Sequence, residues 1–169
     1  EDRIARGEID PDNAAFERIS AGVPRLSAKT INGVSLPYLA ETAEGLMSAS
    51  TWAPNLDNPA NKRFMREFQR TYGYQPSVYA AQGYDAAKFL HFSLELTGGI
   101  KDTETLISAM NAAPFESVRG DFRFNDNQFP IQDFYLVEGV RRTSTLYEME
   151  ATARIFDDVG DAYSGSCRM

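Results

Sequence analysis

The spacing of apolar and polar positions changes period along the chain, and each change predicts an element. From Pro59 to Tyr72 apolar residues recur every four positions, at Ala60, Phe64, Phe68 and Tyr72, while Lys62, Arg63, Arg66, Glu67 and Arg70 fill the other faces. That is the period of an amphipathic helix. Asn58 is suited to its N-cap, Pro59 to its first position, where a missing N–H costs nothing, and Gly73 to its end. A second helix begins near Ser77 in "PSVYAAQGYDAAKFLHFSLELTGG" and closes on Gly98 and Gly99. Val78, Ala81, Tyr84, Ala87, Phe89, Leu90 and Leu94 cover most of its circumference and leave Lys88, His91 and Glu95 as a polar stripe, so it is expected to be largely buried. A third helix, "DTETLISAMNAAP", is capped by Asp102 or Thr103 and stops before Pro114.

Alternation then replaces the helical period. Within "GDFRFNDNQFPIQDFYLVEGV", Asp121 to Phe124 and Ile131 to Val140 read as strands, and the Asn-Asp-Asn turn between them suits a hairpin. Upstream, "GLMSAST" (Gly45 to Thr51) reads as a buried strand, Ala14 to Ala21 as a short helix stopped by Gly22 and Pro24, and "LSAKTINGVSLPYLAETAEG" as loops with a helical turn. The tail from Tyr147 suggests one more strand and a short helix. Trp52, the single tryptophan, stands in the turn "TWAPNLDNPANKRF" that joins a strand to a helix, a place where open α/β sheets commonly hold ligands.

Composition narrows the function classes. With 169 residues, 43% apolar and 12% aromatic, the chain can build one domain with a real core. Seventeen basic against 24 acidic residues give a net charge of −7, which argues against a nucleic-acid or anionic-membrane partner, since both need a positive footprint. No apolar run approaches the ~20 residues of a membrane span. The chain opens on Glu1 without the apolar core of a leader, and the expectation is that a leader, a tag or a whole domain precedes it.

Candidate chemistry is sparse. One cysteine, Cys167, and one histidine, His91, make neither an internal disulfide nor a zinc ligand set; Cys167 is a free thiol or pairs outside this sequence. His91 shares its stripe with Lys88 and Glu95 and reads as a solvent-facing side chain rather than a general base. Asp157, Asp158 and Asp161 lack calcium-loop spacing and read as a solvated acidic edge. There is no phosphate loop, helical histidine pair or Gly-x-Ser-x-Gly elbow. The expectation is no enzyme activity, no catalytic residues, no cofactor and no metal.

The stretches "AEGLMSASTWAPNLDNPANKRFMREFQRTYGYQPSVYAAQGYDAAKFL", "TGG", "SVRGDFRFNDNQFPIQDFYLVEGV" and "DAYSGSCRM" resemble the second half of a type I periplasmic solute-binding protein, in the leucine/isoleucine/valine-binding family that feeds ABC importers. The resemblance covers roughly Ala14 to Met169, and whole members of that family are about twice as long. It implies an α/β fold of two Rossmann-like lobes joined by crossing strands, with residues 1–50 in the second lobe, 51–125 in the first and 126–169 back in the second. It also implies a periplasmic protein, freed of its signal peptide, that captures a small solute, closes, and delivers it to an ABC permease in the inner membrane. The partners are then the solute, the permease and the missing N-terminal half of the same protein, with no nucleic acid.

Ligand-binding positions carried over from the family are few. Tyr79 and Ala80 match the place where an aromatic ring and adjoining backbone flank the ligand, and Lys29 and Thr30 match a second-lobe loop reaching into the cleft. Where amino-acid binders can place an acid in that loop, Lys29 offers a cation suited to a carboxylate, which points to an aromatic carboxylate as an alternative to a branched-chain amino acid. Lys29 as a solvated loop lysine remains equally open. Trp52 falls at a crossover, either as a wall or lid of the cleft or as a packing residue between helices. Two other classes also stand: the ligand-sensing domain of a receptor or regulator with the same fold, and a non-binding fragment that persists as an oligomer.

Overall fold

The chain is described as a computed structural model for residues 26–28, 31–100, 102–125 and 127–166. Elements run β1 (Leu26–Ala28), α1 (Leu36–Leu39), a 3₁₀ turn (Ala40–Ala43), β2 (Met47–Ser50), α2 (Pro59–Tyr72), α3 (Val78–Thr97), α4 (Thr103–Ala112), β3 (Phe122–Phe124), β4 (Pro130–Arg141), β5 (Tyr147–Val159) and a closing 3₁₀ turn (Ser164–Ser166). The helix expected at Ala14 to Ala21, and Cys167, lie outside the described residues. Among the described residues no helix is long and apolar enough to cross a membrane.

The long strand β4 organises the sheet. Tyr135 to Glu138 pair antiparallel with β2 on one side and with β5 on the other, and Gln132 pairs with Phe122 of β3 and with Val159 of β5. β2 and β3 therefore lie end to end along one edge of β4, with β5 along the opposite edge. β1 extends the sheet by pairing parallel with β2. Leu26–Ala28 is a correction to the sequence reading, which gave loop there. A three-residue strand is too short to show alternation, and its partner is 21 positions on, at Leu26↔Met47, so nothing local marks it.

Local chemistry explains the helices. Asn58 takes extended backbone and its Oδ1 accepts the Asn61 N–H at 2.7 Å, while Gly73 ends α2 at φ +78°, a torsion that costs glycine little. Ser77 caps α3 by accepting the Ala80 N–H at 3.2 Å, and Asp102 caps α4 through Thr105 N–H at 2.9 Å. One expectation for α3 fails. Its buried side chains are Val78, Ala81, Asp85 and Ser93, a single stripe, while Tyr79, Leu90 and Leu96 are exposed. Apolar residues all round predicted burial all round, but among the described residues α3 is met by α2, by α4, by the segment 115–119 and by Phe124, and these leave Tyr79, Leu90 and Leu96 in solvent.

The core joins Ile31, Leu36, Trp52, Leu56, Phe64, Val78, Ala81, Val118, Val137 and Met149, with α4 contributing no buried residue. Gly139 of β4 makes one close approach possible: a Cβ there would fall on the Ala43 carbonyl oxygen, and the Gly139 carbonyl accepts the Gly45 N–H at 3.0 Å.

Candidate functional site

Trp52 is bound to the helix that follows it. Its indole N–H donates to Asn61 Oδ1 at 2.8 Å, its ring meets Phe64 edge-on at 6.2 Å between centroids, and none of its surface is exposed. Asn61, equally buried, donates through Nδ2 to the carbonyls of Pro54 and Leu56, both at 3.0 Å. The β2–α2 turn is thus folded around one asparagine, which satisfies the polar groups that burial would otherwise strand. Among the described residues Trp52 is packed against α2. A second clasp joins the turn to the sheet, where Asn55 donates to the Ala151 carbonyl at 3.0 Å and accepts the Ala151 N–H at 2.8 Å.

Tyr79 and Ala80 diverge at the start of α3. The Tyr79 ring projects into solvent with 58% of its surface exposed. Ala80 instead lines a groove of about 320 Å³ between α2 and α3 with Phe64, Phe68, Tyr72 and Tyr84, and its amide is already engaged by Ser77. Lys29 and Thr30 lie outside the described residues. The continuation of their loop is described, and it comes to the same place: Asn32 folds it back by accepting the Val34 N–H at 2.8 Å, and Gly33 rests against Ser77 and Pro76. The described part of that loop therefore reaches the N-cap of α3, two residues before Tyr79.

A buried carboxylate behind this turn escaped the sequence reading. Asp85, 2% exposed, accepts from Ser117 Oγ at 2.6 Å, Val118 N–H at 3.0 Å and Arg119 Nε at 2.9 Å. Arg119 extends the network to Gln132 Oε1 at 2.8 Å and lies 4.1 Å above the Phe122 ring. Paired and fully hydrogen-bonded, the charge can be held inside the protein. It ties α3 to the segment entering β3 and β4. The available signal was an acid four residues after Ala81, on the buried stripe of an otherwise apolar helix.

The acidic edge has structural work. Asp133, buried on β4, accepts from Arg154 Nη1 and from the Asp158 N–H, both at 3.0 Å, and Arg123 pairs with Asp158 at 2.6 Å. Burial pushes the neighbouring Tyr135 phenol up, and the Asp133 charge adds to it. Asp157 pairs with Arg154, and Asp161 accepts from Asn127 at 2.7 Å. Among the described residues no group of three or more His, Cys, Asp or Glu side chains is placed to hold a metal ion.

Comparison with known proteins agrees with this architecture. The family model for periplasmic binding proteins matches residues 19–144, and the chain belongs to that family. It is 29% identical over 133 residues to a Leu/Ile/Val-binding protein homolog 6 from Brucella abortus (strain 2308), covering 75% of this chain and 33% of that protein. Among solved structures, an ABC-transporter solute-binding protein from R. palustris in complex with benzoate superposes with a TM-score of 0.76 at 27% identity, over 92% of this chain and 42% of its own. A leucine-binding protein from Thermotoga maritima MSB8 shares the fold at a TM-score of 0.64 and 23% identity, over 81% of this chain and 39% of its own. The chain thus spans between a third and about two-fifths of these relatives.

Proposed function

We propose that this chain is part of the substrate-binding component of an ABC importer, a periplasmic protein that captures a small solute between two lobes and presents it to an inner-membrane permease. The observation that carries this reading is the seating of the loop after Thr30 on Pro76 and Ser77, immediately before the α3 turn that bears the exposed Tyr79 ring. Segment origin supports the lobe division: β1, α1, β2, β4 and β5 come from residues 1–50 and 126–169, whereas α2, α3 and α4, with the short β3, come from 51–125. The middle segment is the first lobe and the flanks form the second, with Trp52 as the packed pivot where the chain crosses. No covalent chemistry is involved; solute binding stabilises the closed arrangement.

The solute is a small carboxylate, either an aromatic acid or a branched-chain amino acid. Tyr79 covers its apolar body beside the Ala80 backbone, and Lys29 with Thr30 meets its carboxylate from the opposite lobe. Relatives that bind benzoate and leucine support both classes. Calorimetry of the full-length protein with benzoate, 4-hydroxybenzoate and leucine tests the reading. At least one should bind, Tyr79→Ala should cost ~1–3 kcal/mol through lost aromatic burial, and Lys29→Met should weaken the acid while sparing its neutral amide. The isolated 169-residue chain should bind far more weakly. Tight binding by that chain alone would contradict a cleft shared with residues outside it.

A further inference from the structure

Two contacts of different kinds meet at the turn between α2 and α3. On one flank, a Cβ built on Gly33 would lie 3.0 Å from Ser77 Cα and 3.3 Å from the Pro76 carbonyl oxygen, so the loop is seated there by the absence of a side chain. On the other flank, Gln75 Nε2 donates to Glu148 Oε1 at 2.6 Å across 73 residues of sequence. Glu148 is itself aimed: its Oε2 accepts from Arg142 Nε at 2.8 Å, and Arg142 Nη2 also reaches Glu150 at 2.9 Å. Between the two contacts lies a cavity of about 830 Å³, lined by Gly33, Gln75, Pro76 and Glu148 with Met65 and Tyr147. The middle segment therefore touches its flanks at this point through two small contacts beside a void.

We propose that the Gly33–Ser77 approach and the Gln75–Glu148 hydrogen bond hold the two lobes closed over a bound solute, making Gly33, Gln75 and Glu148 positioning residues that set its residence time without touching it. The proposal rests on the two-lobed capture reading above. Contacts made only in the closed arrangement weigh on the population of that arrangement. Entry of solute into the open form does not use them, so their loss is felt in dissociation rather than association.

Stopped-flow kinetics on the full-length protein test this, using whichever of benzoate, 4-hydroxybenzoate or leucine binds the wild type, together with the melting temperature of each unliganded variant. Gln75→Ala should raise the dissociation rate about three- to tenfold, as expected for one solvent-exposed hydrogen bond. The association rate should stay within about twofold and the unliganded melting temperature should not move. In a Glu148→Ala background the same change should have no further effect. Gly33→Ala should weaken affinity about tenfold by wedging the contact open. Unaltered dissociation in both Gln75→Ala and Gly33→Ala, or a loss of affinity matched by a fall in unliganded melting temperature, would overturn the proposal while leaving the capture reading intact. A wild-type protein that binds none of the probes would refute the capture reading and this proposal with it.

Discussion

Asp85 has three donors and almost no water, and that decides what its loss does. Asp85→Ala would leave Arg119, 12% exposed at its side chain, as a nearly buried cation without its carboxylate, and would strand the Ser117 hydroxyl and the Val118 N–H. Breaking one side of a buried pair typically costs ~3–5 kcal/mol. Urea denaturation should show a loss of that size, and Asp85→Asn, which keeps an acceptor, should show less. At this scale the sequence was legible where a residue's role depends on its neighbours in the chain, as with Asn58 and Gly73 at the ends of α2. It was not legible for Asp85, whose partners lie 32 to 34 positions away. Trp52 falls between the two: its place in a strand-to-helix turn could be read, but its burial depends on Asn61, nine residues on, which no pattern singled out.

Elements with strong caps were the most readable because capping is local chemistry. α4 is the clearest case for a pH test. The Thr105 N–H and hydroxyl, both donating to Asp102, hold its carboxyl below the ordinary value of an aspartate. A group lowered in the folded state contributes stability that is present above its unfolded pKa of about 4 and lost as pH falls through the folded value. Amide protection in the first turn of α4, taken relative to the intrinsic exchange rate at each pH, should therefore fall as the pH is taken below about 4, and Asp102→Asn, still a good cap, should remove most of that dependence. An Asp102→Asn protein with the wild-type pH profile would show that another carboxylate controls the turn. Long-range pairing was less readable. The antiparallel pairing of β3 and β4 follows from alternation around one turn, whereas the β1–β2 pairing is parallel and needs a crossover that no local residue announces. The burial of α3 was overestimated for a related reason, since apolar composition gives capacity for contact and only the rest of the fold decides which sides are met.

For the whole molecule, the proposed division gives residues 51–125 to one lobe and both flanks to the other, with α2, α3 and α4 from the middle segment and β3 joining the flanking strands in one sheet. Resemblance to solute-binding proteins was legible in the runs around Pro59 to Ala87, and the family match over residues 19–144 agrees with it. The meeting of the Gly33 loop with Ser77, and of Gln75 with Glu148, was not legible, because each joins segments brought together only by the complete topology. Both contacts matter only if the lobes move. Small-angle X-ray scattering of the full-length protein, with and without a saturating concentration of the probe that calorimetry shows to bind, measures that motion directly. The account predicts a smaller radius of gyration in the liganded protein and a smaller contraction for Gly33→Ala; a bound solute that leaves the radius of gyration unchanged would contradict capture by closure.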